Sequence, residues 1–119
     1  MKEKFKPERI TVRFPKELRD SMLQAIVDDG YGFRGKSKWA IEAIQRFLSL
    51  ENFVEFVDIG SEAGDGELKE TETFHLPRHI VDDLDAAVLI VKKEHPYLEG
   101  VRSIIIRASI LQRLFRGTV

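Results

Sequence analysis

The sequence contains no cysteine among its 119 residues. This absence excludes a disulfide framework and any metal site built from thiolates, and it fits a reducing compartment. No apolar run approaches the length of about 20 residues that a membrane-spanning helix needs. The first residues, MKEKFK, lack the apolar segment of a signal peptide. We therefore predict a cytoplasmic protein with no membrane partner.

Motifs of catalysis and of cofactor binding are also missing. There is no glycine-rich phosphate loop and no nucleophile with a base at recognisable spacing. The paired carboxylates Asp28–Asp29 and Asp82–Asp83 fall on the surfaces of predicted helices. His75 and His79 do not suggest a metal site, because Pro77 between them prevents a shared helical face. We predict no enzyme activity, no catalytic or metal-binding residues and no cofactor.

The net charge is only −1, but the charged residues are unevenly distributed. Residues 1–19 hold seven basic residues against three acidic ones, whereas residues 51–72 hold eight acidic residues and one lysine. This division favours a basic working surface and an acidic connector. Residues 60–66, rich in glycine, serine and acidic residues, are typical of a flexible linker. Residues 53–57 either continue the preceding helix or form a short strand.

The sequence repeats one pattern about sixty residues apart. The first copy begins RITVRFP at Arg9–Pro15, and the second begins TETFHLP at Thr71–Pro77. Polar and apolar residues alternate in both segments, which predicts half-buried strands. Proline ends each strand and suits the start of a helix.

Two amphipathic stretches follow each strand. The first stretches are Lys16–Asp29 and Arg78–Glu94, with apolar residues at helical spacing. Ser37 is predicted to be the N-cap of the next helix, and the last helix, around Ile104–Phe115, is apolar nearly all round. A strand followed by two helices cannot bury its own apolar face. We therefore predict one domain, residues 1–119, with units at 8–50 and 71–117 joined by an acidic linker at 51–70.

Two segments resemble the ribbon-helix-helix family of DNA-binding proteins, of the Arc, MetJ and CopG type. Arg9–Pro15 is similar to the family's strand, and Gly35–Ala43 is similar to its turn and second helix. Most members carry one unit per chain and dimerise, whereas two units in one chain resemble TraY-like conjugation proteins. The resemblance implies a mainly α fold with a two-stranded antiparallel β-ribbon, in which the two units form an intramolecular pseudo-dimer.

The resemblance also implies a binding site for double-stranded DNA. A two-stranded ribbon fits the major groove, where each base pair shows a distinct pattern of donors and acceptors. One ribbon face would pack on the helices and the other would read bases. The base-reading residues would be Arg9, Thr11, Arg13, Thr71, Thr73 and His75. The phosphate-binding residues, at the starts of the second helices, would be Lys36, Ser37, Lys38, Val101, Arg102 and Ser103.

The second copy departs from the first in three ways. Glu72 occupies a position that should face the core, at the start of a strand where we expect it to reach water. His75 replaces the arginine equivalent to Arg13, and the turn before Gly100 is longer than the turn before Gly35. We therefore expect an asymmetric DNA target.

The biological role is left open by the sequence. The tandem design resembles accessory factors of plasmid conjugation and relaxosome DNA processing, whereas transcription regulation is commoner in the family. Further copies on DNA, or a protein partner, are compatible with both roles. An antitoxin-like protein is an alternative, although relatives of that kind usually add a toxin-wrapping tail and this sequence ends just after its last predicted helix. Another is a protein-interaction module that uses the apolar residues Phe53, Val54, Phe56 and Val57.

Overall fold

The computed structural model describes residues 6–58 and 67–116. Within these residues the chain forms two strands and four helices. In chain order they are β1 (Glu8–Phe14), α1 (Lys16–Asp28), α2 (Lys36–Leu48), β2 (Glu70–Leu76), α3 (Arg78–Glu94) and α4 (Val101–Arg116). The predicted flexible linker, residues 60–66, lies outside the described residues.

Proline and glycine set the boundaries of these elements. Pro15 and Pro77 stand between strand and helix in the two halves, both with extended backbone, so that each strand passes directly into a helix. Gly30 and Gly100 adopt φ angles of 83° and 65°, a left-handed conformation that costs other residues free energy. Gly30 follows the end of α1, and Gly100 immediately precedes α4.

The two strands pair with each other in an antiparallel ribbon. Ile10 lies opposite Phe74 on the inner face, and Thr11 lies opposite Thr73 on the outer face. Val12, Phe14 and the other apolar residues of both strands are buried, so the predicted facing of the ribbon is confirmed. Pairing in any other phase would bring the apolar side chains into water.

One hydrophobic core lies under the ribbon. It contains side chains from both strands and from each helix, among them the fully buried Trp39 of α2 and Ile105 of α4. Phe14 and Phe74 meet edge to face across the inner side of the ribbon, with ring centroids 6.3 Å apart. The mainly helical fold with a two-stranded antiparallel sheet is therefore confirmed.

Residues 53–57 differ from both predicted alternatives. Phe53–Phe56 is a short 3-10 turn rather than a continuation of α2 or a strand. The turn brings Phe53 against Phe47, with ring centroids 6.0 Å apart, and Val57 is buried beyond it. These apolar side chains belong to the core because the chain folds back on α2 after Leu48.

One prediction about the helices is wrong in detail: Ser37 is not the N-cap of α2, because the helix begins at Lys36 and Gly35 occupies the cap position. The last helix is buried all round over residues 104–110, a stretch that includes Arg107 at 5% exposure, whereas Phe115 near its end is 75% exposed. Among the described residues, none of the helices has both the length and the hydropathy that crossing a membrane requires.

Candidate nucleic-acid interface

The outer face of the ribbon carries six polar side chains. The register places Arg9 opposite His75, Thr11 opposite Thr73, and Arg13 opposite Thr71. Thr73 is partly exposed and the other five are exposed. The hydroxyl oxygens of Thr11 and Thr73 lie 2.9 Å apart and share a hydrogen bond at the centre of the face. The structure thus brings all six predicted base-reading residues together, and we call them the ribbon face.

The two arginines of the ribbon face lie at its opposite ends. Arg9 and Arg13 are four residues apart on β1, which corresponds to about 13 Å along a strand. Within residues 6–58 and 67–116, neither guanidinium group takes part in an ion pair or donates a hydrogen bond. Each therefore retains the pair of donors that matches the O6 and N7 atoms of guanine.

The start of α2 is attached to the end of β2. The backbone amide of His75 donates a hydrogen bond to the hydroxyl of Ser37, at 2.9 Å. At the other end of the ribbon, the Arg107 guanidinium donates to the carbonyl oxygen of Arg13, also at 2.9 Å. Each second helix is therefore held against the strand of the other half of the chain.

The predicted phosphate-binding residues fall into different environments. The ammonium group of Lys36 is paired with the carboxylate of Glu72, and the hydroxyl of Ser37 accepts the hydrogen bond from the backbone amide of His75. Lys38, in contrast, is exposed. In α4, Val101 is buried, Arg102 is exposed, and Ser103 is half-buried. Among these six residues, the exposed cations are thus Lys38 and Arg102. The first backbone amides of each helix add partial positive charge there.

Glu72 does not reach water as the sequence led us to expect. Its side chain is 10% exposed and lies between two cations, with Arg19 Nε at 2.7 Å and Lys36 Nζ at 2.6 Å. Burial alone would raise the pKa of this carboxyl group. Hydrogen bonds from Lys36 and Arg19 outweigh burial and hold the pKa below its ordinary value. The inner face of β2 therefore carries an ionised carboxylate because α1 and α2 supply its counter-charges.

Arg113 is an important residue that the sequence pattern did not single out. Its guanidinium lies 4.6 Å from the Trp39 ring, donates to the Trp39 carbonyl at 2.9 Å, and donates to the Tyr31 hydroxyl at 3.1 Å. It also lies close to Asp29 and Glu42. The Trp39 indole in turn donates to Asp29 at 2.8 Å. These contacts fasten the turn between α1 and α2, and so the start of α2, to the last helix.

Arg107 was also missed, because a basic residue inside an apolar helix has no periodic signal of its own. Burial lowers the pKa of its guanidinium, which nevertheless stays charged at neutral pH. Its bond to the Arg13 carbonyl fixes the backbone of β1 beneath the ribbon face. Arg107 is buried, so its role is to hold the backbone of β1 in place and not to contact a ligand.

Two further sources of information about the ribbon face are possible metal ligands and similarity to known proteins. Over residues 6–58 and 67–116, there is no group of three histidine or acidic side chains that would hold a metal ion. No family model matches the sequence, and searches of curated proteins and of solved structures give no significant match. What the ribbon face binds therefore has to follow from its own chemistry.

Proposed function

We propose that the protein binds double-stranded DNA sequence-specifically, without catalysis, by placing the ribbon in the major groove in the manner of ribbon-helix-helix proteins. The observation that carries this proposal is the ribbon face itself, which presents two arginines, three threonines and a histidine on one side of a two-stranded sheet, the arginines having no ion-pair partner among the described residues. A two-stranded ribbon fits the major groove of DNA. Arginine, threonine and histidine side chains can contact the hydrogen-bond donors, acceptors and thymine methyl groups that the base pairs present there.

In this proposal the two halves of the chain form an intramolecular pseudo-dimer. The order strand, helix, helix occurs twice, and the two strands pair with each other. The bonds from His75 to Ser37 and from Arg107 to Arg13 cross between the halves in both directions. The shared core supports the same arrangement, since each half contributes one strand and two helices to it.

Phosphate binding is assigned to the starts of α2 and α4. Lys38 and Arg102 supply exposed positive charge, and the backbone amides around Ser37 and Ser103 supply donors. The side chain of Lys36 does not contact phosphate in this proposal; it neutralises the carboxylate of Glu72. Because Glu70 and Glu72 are balanced by two cations, Arg19 and Lys36, these carboxylates near the ribbon repel a DNA backbone less.

The biological role within this function has two candidates, an accessory factor in conjugation or DNA processing and a transcription regulator. A protein-interaction module is less well supported, because Phe53 and Val57 are buried and Val54 and Phe56 are only partly exposed. An antitoxin-like role is compatible with DNA binding and would add a protein partner. Co-purification with the product of a neighbouring gene would favour that role.

The decisive experiment is selection from a pool of randomised DNA duplexes, followed by binding titrations of the enriched duplex at several salt concentrations. We expect one enriched sequence. The logarithm of its binding constant should fall by about 0.9 per phosphate contact for each tenfold increase in salt concentration. An equally steep salt dependence on every duplex, with no enriched sequence, would show electrostatic association alone and would refute the proposal.

A further inference from the structure

The two ends of the ribbon face differ in chemistry. The first end consists of Arg9 and His75, and it lies beside the start of α2 because Ser37 holds the His75 amide. The second end consists of Arg13 and Thr71, beside α4, whose Arg107 holds the Arg13 carbonyl. One end therefore offers an arginine with an imidazole, and the other offers an arginine with a hydroxyl and a methyl group.

A half-turn about the centre of the ribbon does not restore this chemistry. The centre is the hydrogen-bonded pair Thr11 and Thr73. Rotation about it would exchange Arg9 with Thr71, and Arg13 with His75. A symmetric homodimer must present identical ends, whereas a single chain need not. Both arginines of this ribbon face belong to β1, so the rotated protein would present a histidine and a threonine where it had presented arginines.

We infer that the protein binds its duplex in one fixed orientation, with the first end on one half-site and the second end on the other. This inference rests on the proposed DNA binding and names its target as a non-palindromic duplex. Guanine is expected opposite each arginine, and a thymine methyl contact opposite Thr71. Reversing the protein would misplace both arginines, and losing one such contact corresponds to about tenfold or more in affinity.

Orientation can be read directly because the natural chain has no cysteine. Arg34 and Glu99 are exposed and immediately precede Gly35 and Gly100, at the starts of α2 and α4. An iron chelate attached to Arg34→Cys, or separately to Glu99→Cys, would cleave the DNA backbone near that helix start. On the duplex enriched by the unmodified protein, we expect each probe to cleave one flank at least about tenfold more than the other, and the two probes to cleave opposite flanks.

A variant with exchanged ends tests whether the ribbon face sets this orientation. It combines Arg9→Thr, Arg13→His, Thr71→Arg and His75→Arg, all at exposed positions, so the core is left intact. On the same duplex both probes should now cleave the flank opposite to their original one. Arg13→His with His75→Arg is a smaller exchange, to be used if circular dichroism shows that the fourfold variant is unfolded. The orientation preference should then weaken or reverse.

The outcomes separate the two proposals. If the unmodified protein enriches no sequence, the proposed function fails. If it enriches a palindrome, or if each probe cleaves both flanks equally, specific DNA binding stands and the fixed orientation is overturned. If the exchanged variant keeps the original flanks, the orientation does not come from the ribbon face, and the inference is overturned as well.

Discussion

The ammonium group of Lys36 lies 2.6 Å from the carboxylate of Glu72, so the first residue of α2 is tied to the inner side of β2. Arg19 of α1 holds the same carboxylate at 2.7 Å. One ion-pair network therefore joins a helix from the first half of the chain, the start of a second helix, and the strand from the other half. It sets the position of one predicted phosphate-binding site relative to the ribbon.

Replacing Glu72 by glutamine should destabilise the fold. The change leaves Arg19 and Lys36 without their common counter-charge, and loss of a partner from a largely buried pair costs about 1–3 kcal/mol. Urea denaturation monitored by circular dichroism would measure the loss. Glu67→Gln is the matched control, because Glu67 and its partner Lys69 are both about three-quarters exposed and such pairs contribute little. Equal midpoints for the two variants would contradict the structural role of Glu72.

Stability should depend on pH through the same carboxylate. The pKa of Glu72 in the folded chain lies below its ordinary value of 4.5. Its contribution is therefore fully present above pH 4.5 and is lost as the pH falls through the folded-state pKa. We expect the difference in unfolding free energy between the natural protein and Glu72→Gln to shrink on acidification. A constant difference from about pH 7 to about pH 3 would exclude this assignment.

Arg113→Lys should also destabilise the protein, although the charge is kept. Lysine has no planar fork with which to reach the Trp39 carbonyl and the Tyr31 hydroxyl together, and we expect a loss of about 1–2 kcal/mol. Trp39 is the only tryptophan, so its fluorescence reports the change at the site. Arg116→Lys, at an exposed position of the same helix, should leave both stability and emission unchanged. Equal stability and equal tryptophan emission of the two variants would contradict the proposed role of Arg113 in holding Trp39 and Tyr31.

The ribbon face and the helix starts should contribute differently to DNA binding. Alanine at both Arg9 and Arg13 should remove most of the sequence preference, at about 1–3 kcal/mol for each lost base contact, while the circular dichroism spectrum stays unchanged. If discrimination is undiminished by that double change, the base-reading assignment is wrong.

Glutamine at both Lys38 and Arg102 should instead weaken binding to every duplex alike. The slope of the logarithm of the binding constant against the logarithm of the salt concentration should become shallower by about 1 for each phosphate contact removed, because counterion release depends on the number of contacts. Arg78→Gln with Lys93→Gln removes the same charge from exposed positions on α3 and serves as the control. A change of sequence preference in the Lys38 and Arg102 variant would mean that these residues read bases.

The two strands and their facing were predictable because they follow from local alternation, whereas their pairing into one ribbon was expected only from the resemblance to ribbon-helix-helix proteins. In residues 9–14 the apolar side chains occupy every second position, and only one phase buries both Val12 and Phe14. The first helix was also placed well: it was predicted at Lys16–Asp29 and is observed at Lys16–Asp28. Periodicity and proline were sufficient for these elements.

The polar contacts that hold the site in place were not predictable in the same way. Arg113 and Trp39 are 74 residues apart in the sequence, and Arg107 and Arg13 are 94 apart. Such pairs depend on how the helices cross, which no local pattern records. The network around Glu72 is of the same kind, since its cations come from two other elements and turn an unfavourable position into a satisfied one.

The pairing of Thr11 with Thr73 has a consequence for the order of folding. These partners are 62 residues apart, so the ribbon forms only after a long loop has been closed, whereas the backbone hydrogen bonds within each helix join residues near in sequence. During synthesis β1 has no partner until β2 has left the ribosome. A chain that stops before Glu70 therefore holds one strand without its ribbon, and the surface proposed to read DNA exists only when both halves of the chain are present.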